Sequence, residues 1–402
     1  MRPMTRRRTL RIAFALAVVA GALLVARPYV HGLSFVIRAA DLPGLARRAA
    51  DLDARAVRER ELEIPHAGGL LRARAYEPST GVRRTALLVP GLHPAGIDEP
   101  RVVALARELA ASGVAAVTPA IPELSQFAIT PAITDAIEQS ALWLVAQGAF
   151  APDGRVGLMG ISFSGGLAVV ASGRPALRDR VAYVLAVGGH ADLPRVLRYL
   201  CTGIEPVPAS EVRLRADAPG PGGRAETPPP HDYGVAVILL GVAERVVPRG
   251  QVAALRDAVR RFLWASHLHR VDRPAADREF AALRDLAPTM PEPSATLLEY
   301  VTRRDVVHLG ARLLPFVGTI GDAPSLSAER SPKPSAPVFL LHGADDNVIP
   351  AAESQHLADY LRGETRVRVL LSRLISHADA DRPARAADVL ALAAFWGDLL
   401  AR

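Results

Sequence analysis

The residues with the clearest chemical potential form the segment Gly-Ile-Ser-Phe-Ser-Gly-Gly at positions 160–166. A short apolar run, residues 155–159, precedes it, and small and apolar residues follow at 167–171. The first run is typical of a buried strand, and the second can continue as a tightly packed helix. A serine at such a strand-to-helix turn is raised on a sharp bend with its hydroxyl exposed, and small neighbours permit that bend. Ser162 is therefore the candidate nucleophile.

An acid and a histidine follow this serine along the chain. The segment Leu-His-Gly-Ala-Asp-Asp-Asn-Val-Ile-Pro at 341–350 ends an apolar run and carries Asp346 just past a predicted strand end. Asp345 competes with it, because one residue of loop register cannot be read from a sequence. A further strand is predicted at 367–371, and His377 follows it in a loop. These three residue types can act as nucleophile, orienting acid and general base.

With these residues in this order, the chain resembles the α/β-hydrolase superfamily, in particular its esterase and dienelactone-hydrolase-like members. In that family a His-Gly-x-x-Asp-x-x-Val/Ile-Pro segment supplies the acid, and the match here falls on Asp346. The resemblance implies a mostly parallel central sheet with helices on both faces and a helical cap inserted after the sixth strand. It also implies two backbone N–H donors for an oxyanion, from Phe163 and from Leu92 in the loop 90–96.

Two residues depart from the family pattern. Pro90 stands where a histidine is usual, and Ser164 stands where the motif has glycine. Ser164 is a weak alternative nucleophile, because the residue two positions before it is Ser162 instead of glycine. His93, beside the expected oxyanion donor, and His190, after the sixth predicted strand, are candidates for contact with a substrate. His93 could equally stabilise its loop.

Composition is that of a globular enzyme. Half of the 402 residues are apolar, which suffices for one large core or two modest ones. The net charge of +7 comes from arginines scattered among acids, without a basic stripe interleaved with aromatics, so no nucleic-acid partner is expected. The single cysteine, Cys201, excludes an internal disulfide. No metal or cofactor is expected: His267 and His269 are two apart on a predicted helix and face different ways.

Hydrophobic periodicity divides the chain into five parts. An edge hairpin at 61–76, buried strands at 85–89, 114–118 and 181–187, and intervening helices place the first part of a hydrolase core at 61–191. Helical patterns without strands place the cap insert at 192–334, and sheet periodicity returns in the second part of the core, 335–402. Residues 38–60 are predicted to be a polar helical spacer, and residues 1–37 form a distinct N-terminal part.

The N-terminal part combines arginines with an apolar run. Five arginines within the first eleven residues precede residues 12–26, which carry no charge. This pattern predicts a hydrophobic helix that anchors the protein in a membrane by a single pass, with the catalytic domain on the outer side. The alternatives are a cleaved signal segment, which would leave an exported soluble enzyme, and a soluble helix that does not enter a membrane.

Together these features predict a serine hydrolase that cleaves a small carboxylic ester with an apolar part, through an acyl-enzyme on Ser162. His377 would act as general base and acid, and Asp346 would orient it. A thioesterase, an acyltransferase or a C–C hydrolase could use the same triad. A non-catalytic binding or scaffold protein of the same fold is the contrasting hypothesis.

Overall fold

The computed structural model describes residues 26–205, 229–375 and 385–402, and its centre is a sheet of eight strands. The strands are β1 (Val57–His66), β2 (Gly69–Pro78), β3 (Thr85–Val89), β4 (Ala115–Pro119), β5 (Val156–Ile161), β6 (Val181–Val187), β7 (Val338–Gly343) and β8 (Val367–Ser372). Their order across the sheet is β1-β2-β4-β3-β5-β6-β7-β8. The β2 strand runs antiparallel to both of its neighbours, and all other neighbouring pairs are parallel. The predicted mostly parallel sheet is confirmed.

Helices follow most of the strands. The first, α1, covers residues 26–39 of the described chain. The others are α2 (Leu45–Asp51), α3 (Pro100–Ala111), α4 (Pro122–Ser125), α5 (Ala132–Ala146), α6 (Phe163–Gly173), α7 (Leu193–Thr202), α8 (Asp232–Val246), α9 (Arg249–Val271), α10 (Arg273–Leu286), α11 (Ser294–Thr302), α12 (Val306–Leu313), α13 (Gly318–Gly321), α14 (Ala352–Leu361) and α15 (Ala386–Leu400).

The central strands are buried at almost every position and are mostly apolar, because helices cover both faces of the sheet. Successive side chains of a strand point to opposite faces. In β3, Leu87 and Val89 pack with α5 and α6, whereas Ala86 and Leu88 pack with α3 and α15. Continuous apolar runs are the pattern expected of parallel strands buried on both sides. The predicted covering of both faces is confirmed.

The parallel strands bring three loops to one edge of the sheet. Ile161 at the end of β5 is paired with Val187 of β6, and Val187 is paired with Leu341 of β7. The loops that follow these strands therefore begin at the same edge. In open α/β sheets this carboxyl edge is where ligands bind.

The chain between β6 and β7 is a large, mostly helical insert. It contains α7 to α13, at the sequence positions where helical patterns without strands are predicted. The Pro- and Gly-rich stretch 206–228 lies outside the described residues.

The predicted transmembrane anchor is contradicted. Across residues 26–205, 229–375 and 385–402, no helix combines the length and the apolar character needed to cross a membrane. The membrane localisation inferred from that anchor is corrected with it. Of the uncharged run 12–26, the positions before Ala26 lie outside the described residues.

The described part of the N-terminal segment packs on protein, which explains its apolar side. Phe35 is 1% exposed, and its ring centroid lies 4.3 Å from that of Trp396 in α15. A Cβ atom on Gly32 would lie 2.0 Å from the carbonyl oxygen of Ala393, so α1 and α15 approach closely. Arg38 is also buried, and its guanidinium donates to the Glu108 carboxylate, at 2.9 Å, and to the Ala50 carbonyl, at 2.7 Å.

Two expected boundaries differ from the structure. A boundary between the N-terminal part and the spacer was predicted between residues 37 and 38, but the helix α1 continues through it to residue 39. Arg38 belongs to this helix and holds it to Glu108 of α3. The strand β1 begins at Val57 instead of residue 61, because its partner β2 extends to Pro78 and pairs with it along its whole length. The spacer between them contains one short helix, α2.

Candidate active site

Ser162 occupies a strained turn between β5 and α6. It is the residue directly after the strand and directly before the helix, with φ 55° and ψ −126°. A positive φ is uncommon for a residue with a side chain, and such strain is often found at functional sites. The backbone N–H of Ser162 donates to the Val187 carbonyl, at 2.6 Å, which holds the turn against β6. This is the geometry that the nucleophile motif requires.

Glycines make this turn sterically feasible. A Cβ atom on Gly160 would lie 2.1 Å from the carbonyl oxygen of Ser164, and one on Gly165 would lie 2.9 Å from the Cα of Gly189. Real Cβ atoms do not approach other atoms so closely. Small residues at these positions therefore permit the close contact between the strand and the helix that the sequence predicted.

The loop expected to supply the second oxyanion donor lies against the turn. A Cβ atom on Gly91 would be 3.2 Å from the Cβ of Ser162 and 3.1 Å from the Ile161 carbonyl oxygen. The backbone N–H groups of Leu92 and Phe163 make no hydrogen bond to any other residue that the structure describes. Two unpartnered donors beside a nucleophile are what stabilisation of an oxyanion needs.

The two departures from the family motif are in direct contact. Ser164 is fully buried, and its hydroxyl donates to the Pro90 carbonyl oxygen, at 2.6 Å. The serine therefore has a partner that keeps it in the core, and it cannot present a free hydroxyl to a substrate. The changes at positions 90 and 164 form one interaction between the nucleophile helix and the loop carrying Leu92.

Asp346 and Asp345 have different environments. The Asp346 side chain is 1% exposed, whereas Asp345 is exposed to solvent. The Oδ1 atom of Asp346 accepts hydrogen bonds from the backbone N–H groups of Val348, at 2.9 Å, and Ile349, at 3.0 Å. A carboxylate fixed in this way can hold an imidazole in one orientation, so the geometry favours Asp346 over Asp345.

A histidine that the sequence analysis assigned no role lies under this carboxylate. His342 is fully buried in β7, and its Nε2 donates to the Ile349 carbonyl, at 2.8 Å. Its Nδ1 accepts from the Ser354 hydroxyl, at 2.7 Å. The ring therefore supports the acid loop from inside. The only sequence signal for this role was its place in the His-Gly segment.

His377 lies outside the described residues, which stop at Ile375 and resume at Arg385. The strand before it, β8, is paired in parallel with β7, the strand that leads into the acid loop. The last residues of the two strands, Gly343 and Ser372, lie opposite each other. The Ala344 N–H donates to the Ser372 carbonyl at the end of β8, at 2.9 Å. The chain thus enters the segment containing His377 from beside the acid loop, and the role of this histidine stays a prediction.

His93 lies on the loop that carries Leu92, and its contact with a substrate stays a prediction. The Nδ1 atom of His93 accepts a 3.3 Å hydrogen bond from the Ala95 N–H, and its ring meets that of His267 of α9 edge to face, with centroids 4.7 Å apart. Burial lowers the pKa of His93 to about 4, so the ring is neutral at ordinary pH.

His190, the other residue expected to contact a substrate, is fully buried. Its Nε2 donates to the Leu326 carbonyl, at 2.8 Å, and its ring stacks on Phe163, with centroids 5.3 Å apart. Burial lowers its pKa as well. The ring lies behind the residue that carries the first expected oxyanion donor and makes no contact with open space.

The insert between β6 and β7 contacts both loops of the site. The phenol of Tyr233, in α8, donates to the Leu92 carbonyl, at 2.6 Å. The N–H of His231 donates to the Asn347 carbonyl, at 3.0 Å, and the Asn347 side-chain amide donates to the Pro229 carbonyl, at 3.2 Å. Residues 229–233 therefore connect the loop carrying Leu92 with the acid loop.

In the described parts of the chain, no group of three or more His, Cys, Asp or Glu side chains is arranged to hold a metal ion. The polar groups at the carboxyl edge are a hydroxyl, a buried carboxylate and backbone donors. This set suits nucleophilic attack on a carbonyl carbon.

No protein-family model matches the chain, and no curated protein sequence matches it. Solved structures do match. An esterase of Pyrobaculum calidifontis is 14% identical, with a TM-score of 0.42 and 88% of this chain and 84% of that chain covered. A thermophilic carboxylesterase from a metagenomic library is 14% identical, with a TM-score of 0.46 and coverages of 92% and 94%. A thermostable esterase of Pseudomonas putida is 12% identical, with a TM-score of 0.45 and coverages of 92% and 95%.

These structures belong to the class that the sequence motifs resemble.

Proposed function

We propose that the protein is a serine hydrolase that cleaves a carboxylic ester through an acyl-enzyme on Ser162. The observation that carries this proposal is the strained position of Ser162 beside the N–H groups of Phe163 and Leu92, neither of which has a hydrogen-bond partner among the described residues. Strain at a residue costs free energy and persists where the surrounding structure holds it. Here it raises a hydroxyl next to two donors suited to an oxyanion.

The reaction follows from the residue types. The Ser162 oxygen attacks the ester carbonyl carbon while His377 accepts its proton, and the negative oxygen of the tetrahedral intermediate accepts hydrogen bonds from Phe163 and Leu92. The bond to the alcohol oxygen then breaks, and the alcohol leaves with the proton from His377. Water attacks the acyl-enzyme in the same way, releasing the acid and restoring the serine. Asp346 orients the imidazole and stabilises its charged form.

The helical insert is proposed to act as the cap over this site. Its support is the contact of Tyr233 with Leu92 and of His267 with His93, both on the loop next to the nucleophile. Apolar side chains, among them Phe127 and Tyr233, whose ring centroids are 5.8 Å apart, lie near this junction. A cap with such a lining favours a substrate with an apolar part.

The test uses the full chain, p-nitrophenyl butyrate and a fluorophosphonate probe that labels activated serines. Wild type should hydrolyse the ester and take up the label, and Ser162→Ala should do neither. The matched control is Ser172→Ala, because Ser172 is a buried serine of the helix that follows Ser162, and its hydroxyl donates to the Val169 carbonyl. It should keep both activities. A folded wild type without hydrolysis or labelling would refute the proposal and favour a non-catalytic protein of this fold.

A further inference from the structure

We propose that Ser164 and Tyr233 are positioning residues that clamp the backbone on either side of the Leu92 oxyanion donor. This inference rests on the proposed function. The donor N–H belongs to the peptide between Gly91 and Leu92. Each neighbouring peptide carries a carbonyl oxygen that accepts a 2.6 Å hydrogen bond from a side-chain hydroxyl. The two hydroxyls come from different elements, one from the nucleophile helix and one from the insert.

The first neighbouring peptide is fixed by Ser164. Its carbonyl belongs to Pro90, which has no N–H, so this carbonyl is the only backbone group through which Pro90 can be held by a hydrogen bond. Ser164 is fully buried and lies two residues after the nucleophile. The loop carrying the second donor is thereby tied to the same helix that carries the first donor. A glycine at position 164, as in the usual motif, would lack this tie.

The second neighbouring peptide is fixed at both of its polar groups. Its carbonyl, from Leu92, accepts from the Tyr233 phenol, and its N–H, from His93, donates to the Leu124 carbonyl, at 3.2 Å. Burial raises the pKa of Tyr233 far above its usual value, so the phenol stays a donor at any pH at which the enzyme would work.

The donor peptide itself is then confined. With both neighbouring peptides fixed, the Cα atoms of Gly91 and Leu92 are held in place, and the remaining freedom is a flip of the peptide between them. A flip would turn φ of Leu92 by about 180°, from its ordinary negative value towards the positive region that a side chain disfavours. The unpartnered N–H is thus kept in one orientation without a hydrogen bond of its own.

A consequence is that the insert takes part in preorganising the oxyanion site. Preorganised donors lower the barrier because they need no rearrangement when charge develops. Loss of either clamp should therefore weaken binding of the transition state more than binding of the substrate. Removing an oxyanion donor costs about 10²–10³ in kcat, so loosening one should cost less, about 10-fold to 100-fold.

The variants Tyr233→Phe and Ser164→Ala remove only the two hydroxyls. The matched controls are Tyr360→Phe and Ser172→Ala, whose hydroxyls also donate to backbone carbonyls, those of Ser331 and Val169, both at 2.7 Å. In hydrolysis of p-nitrophenyl butyrate, each clamp variant should lose about 10-fold to 100-fold in kcat and equally in kcat/KM, with KM within about twofold. The controls should match wild type.

A pair of ketone inhibitors separates positioning from a general structural defect. The serine oxygen attacks the carbonyl carbon of a trifluoromethyl ketone, and the product carries an oxyanion. The methyl ketone with the same alkyl group binds without this addition and forms no oxyanion. The clamp variants should weaken only the trifluoromethyl ketone, by the factor lost in kcat. The double variant should lose less than the product of the single losses, because both hydroxyls hold the same donor.

Three outcomes would overturn the inference. The clamp variants could match the controls in kcat, or the two ketones could lose affinity equally, and either result refutes the clamp while leaving the proposed function standing. A wild type that neither hydrolyses the ester nor labels at Ser162 overturns the proposed function and the clamp together. If Ser164→Ala does not fold, as judged by thermal unfolding, Tyr233→Phe alone decides the question.

Discussion

Replacing Asp346 by asparagine tests whether the carboxylate of this residue is the acid that orients the general base, because it exchanges one oxygen atom for an NH₂ group. The Oδ1 atom of Asp346 accepts from the N–H groups of Val348 and Ile349. An asparagine can keep both bonds through its carbonyl oxygen and has nearly the same volume. The acid loop should therefore stay folded, while the negative charge is lost.

The size of the effect follows from the role of that charge. An amide cannot stabilise an imidazolium, and its NH₂ group favours the wrong tautomer of the general base. The same substitution in a serine-hydrolase triad lowers kcat about 10⁴-fold, equivalent to about 5 kcal/mol of transition-state stabilisation. Asp345 is exposed, so Asp345→Asn should change kcat by less than about threefold.

The assay is the rate of p-nitrophenyl butyrate hydrolysis by both variants and wild type, with thermal unfolding as the check on folding. The assignment of Asp346 as the acid is refuted if Asp346→Asn folds as wild type does and its kcat is within tenfold of the wild-type value. It is equally refuted if Asp345→Asn is the inactive variant.

Three further predictions concern stability. His93 binds a proton in the unfolded chain below about pH 6.5 but in the folded protein only near pH 4, so stability should fall by up to about 3 kcal/mol as the pH drops through that window. Urea unfolding of wild type and His93→Gln checks this, and an equally steep fall in the variant contradicts it. Phe35→Ala should destabilise the protein by about 3–5 kcal/mol, because it removes the buried ring that packs on Trp396 and leaves a cavity between α1 and α15. An unchanged midpoint of urea unfolding would contradict this packing. Glu353→Gln should lower the free energy of unfolding by about 3 kcal/mol, since this buried carboxylate accepts hydrogen bonds from two backbone N–H groups and from Arg195. A loss below 1 kcal/mol in urea unfolding would contradict it.

The strands of the sheet could be predicted because their signal is local. Residues 85–89 and 181–187, predicted as buried strands from continuous apolar runs, are β3 and β6 with the same bounds. The turn at Ser162 was predictable for a similar reason, since the small residues that the bend requires are close neighbours in the sequence.

The contacts that support the site could not be predicted, because they join distant residues. Ser164 and Pro90 are 74 positions apart, and each alone looked like a departure from a motif. Tyr233 reaches Leu92 across 141 positions from an insert that matches no known pattern. A sequence offers no sign that two hydroxyls will meet neighbouring carbonyls.

The prediction of a membrane anchor in the N-terminal segment was wrong for a different reason. Apolar side chains are attracted equally to lipid and to an apolar protein surface, so composition does not distinguish the two. Phe35 packs on Trp396, and Gly32 lets the two helices approach. The partner helix lies some 360 positions further along the chain, far beyond any local pattern.

Trapping the acyl adduct tests most directly whether Ser162 is the nucleophile. The protein would be mixed with p-nitrophenyl butyrate, quenched in acid within the first turnover and digested, and its peptides would be mapped by mass spectrometry. We expect a butyryl group on Ser162 of the wild type and none on the corresponding peptide of Ser162→Ala. A butyryl group on another residue with Ser162 unmodified, or rapid hydrolysis by Ser162→Ala, would contradict it.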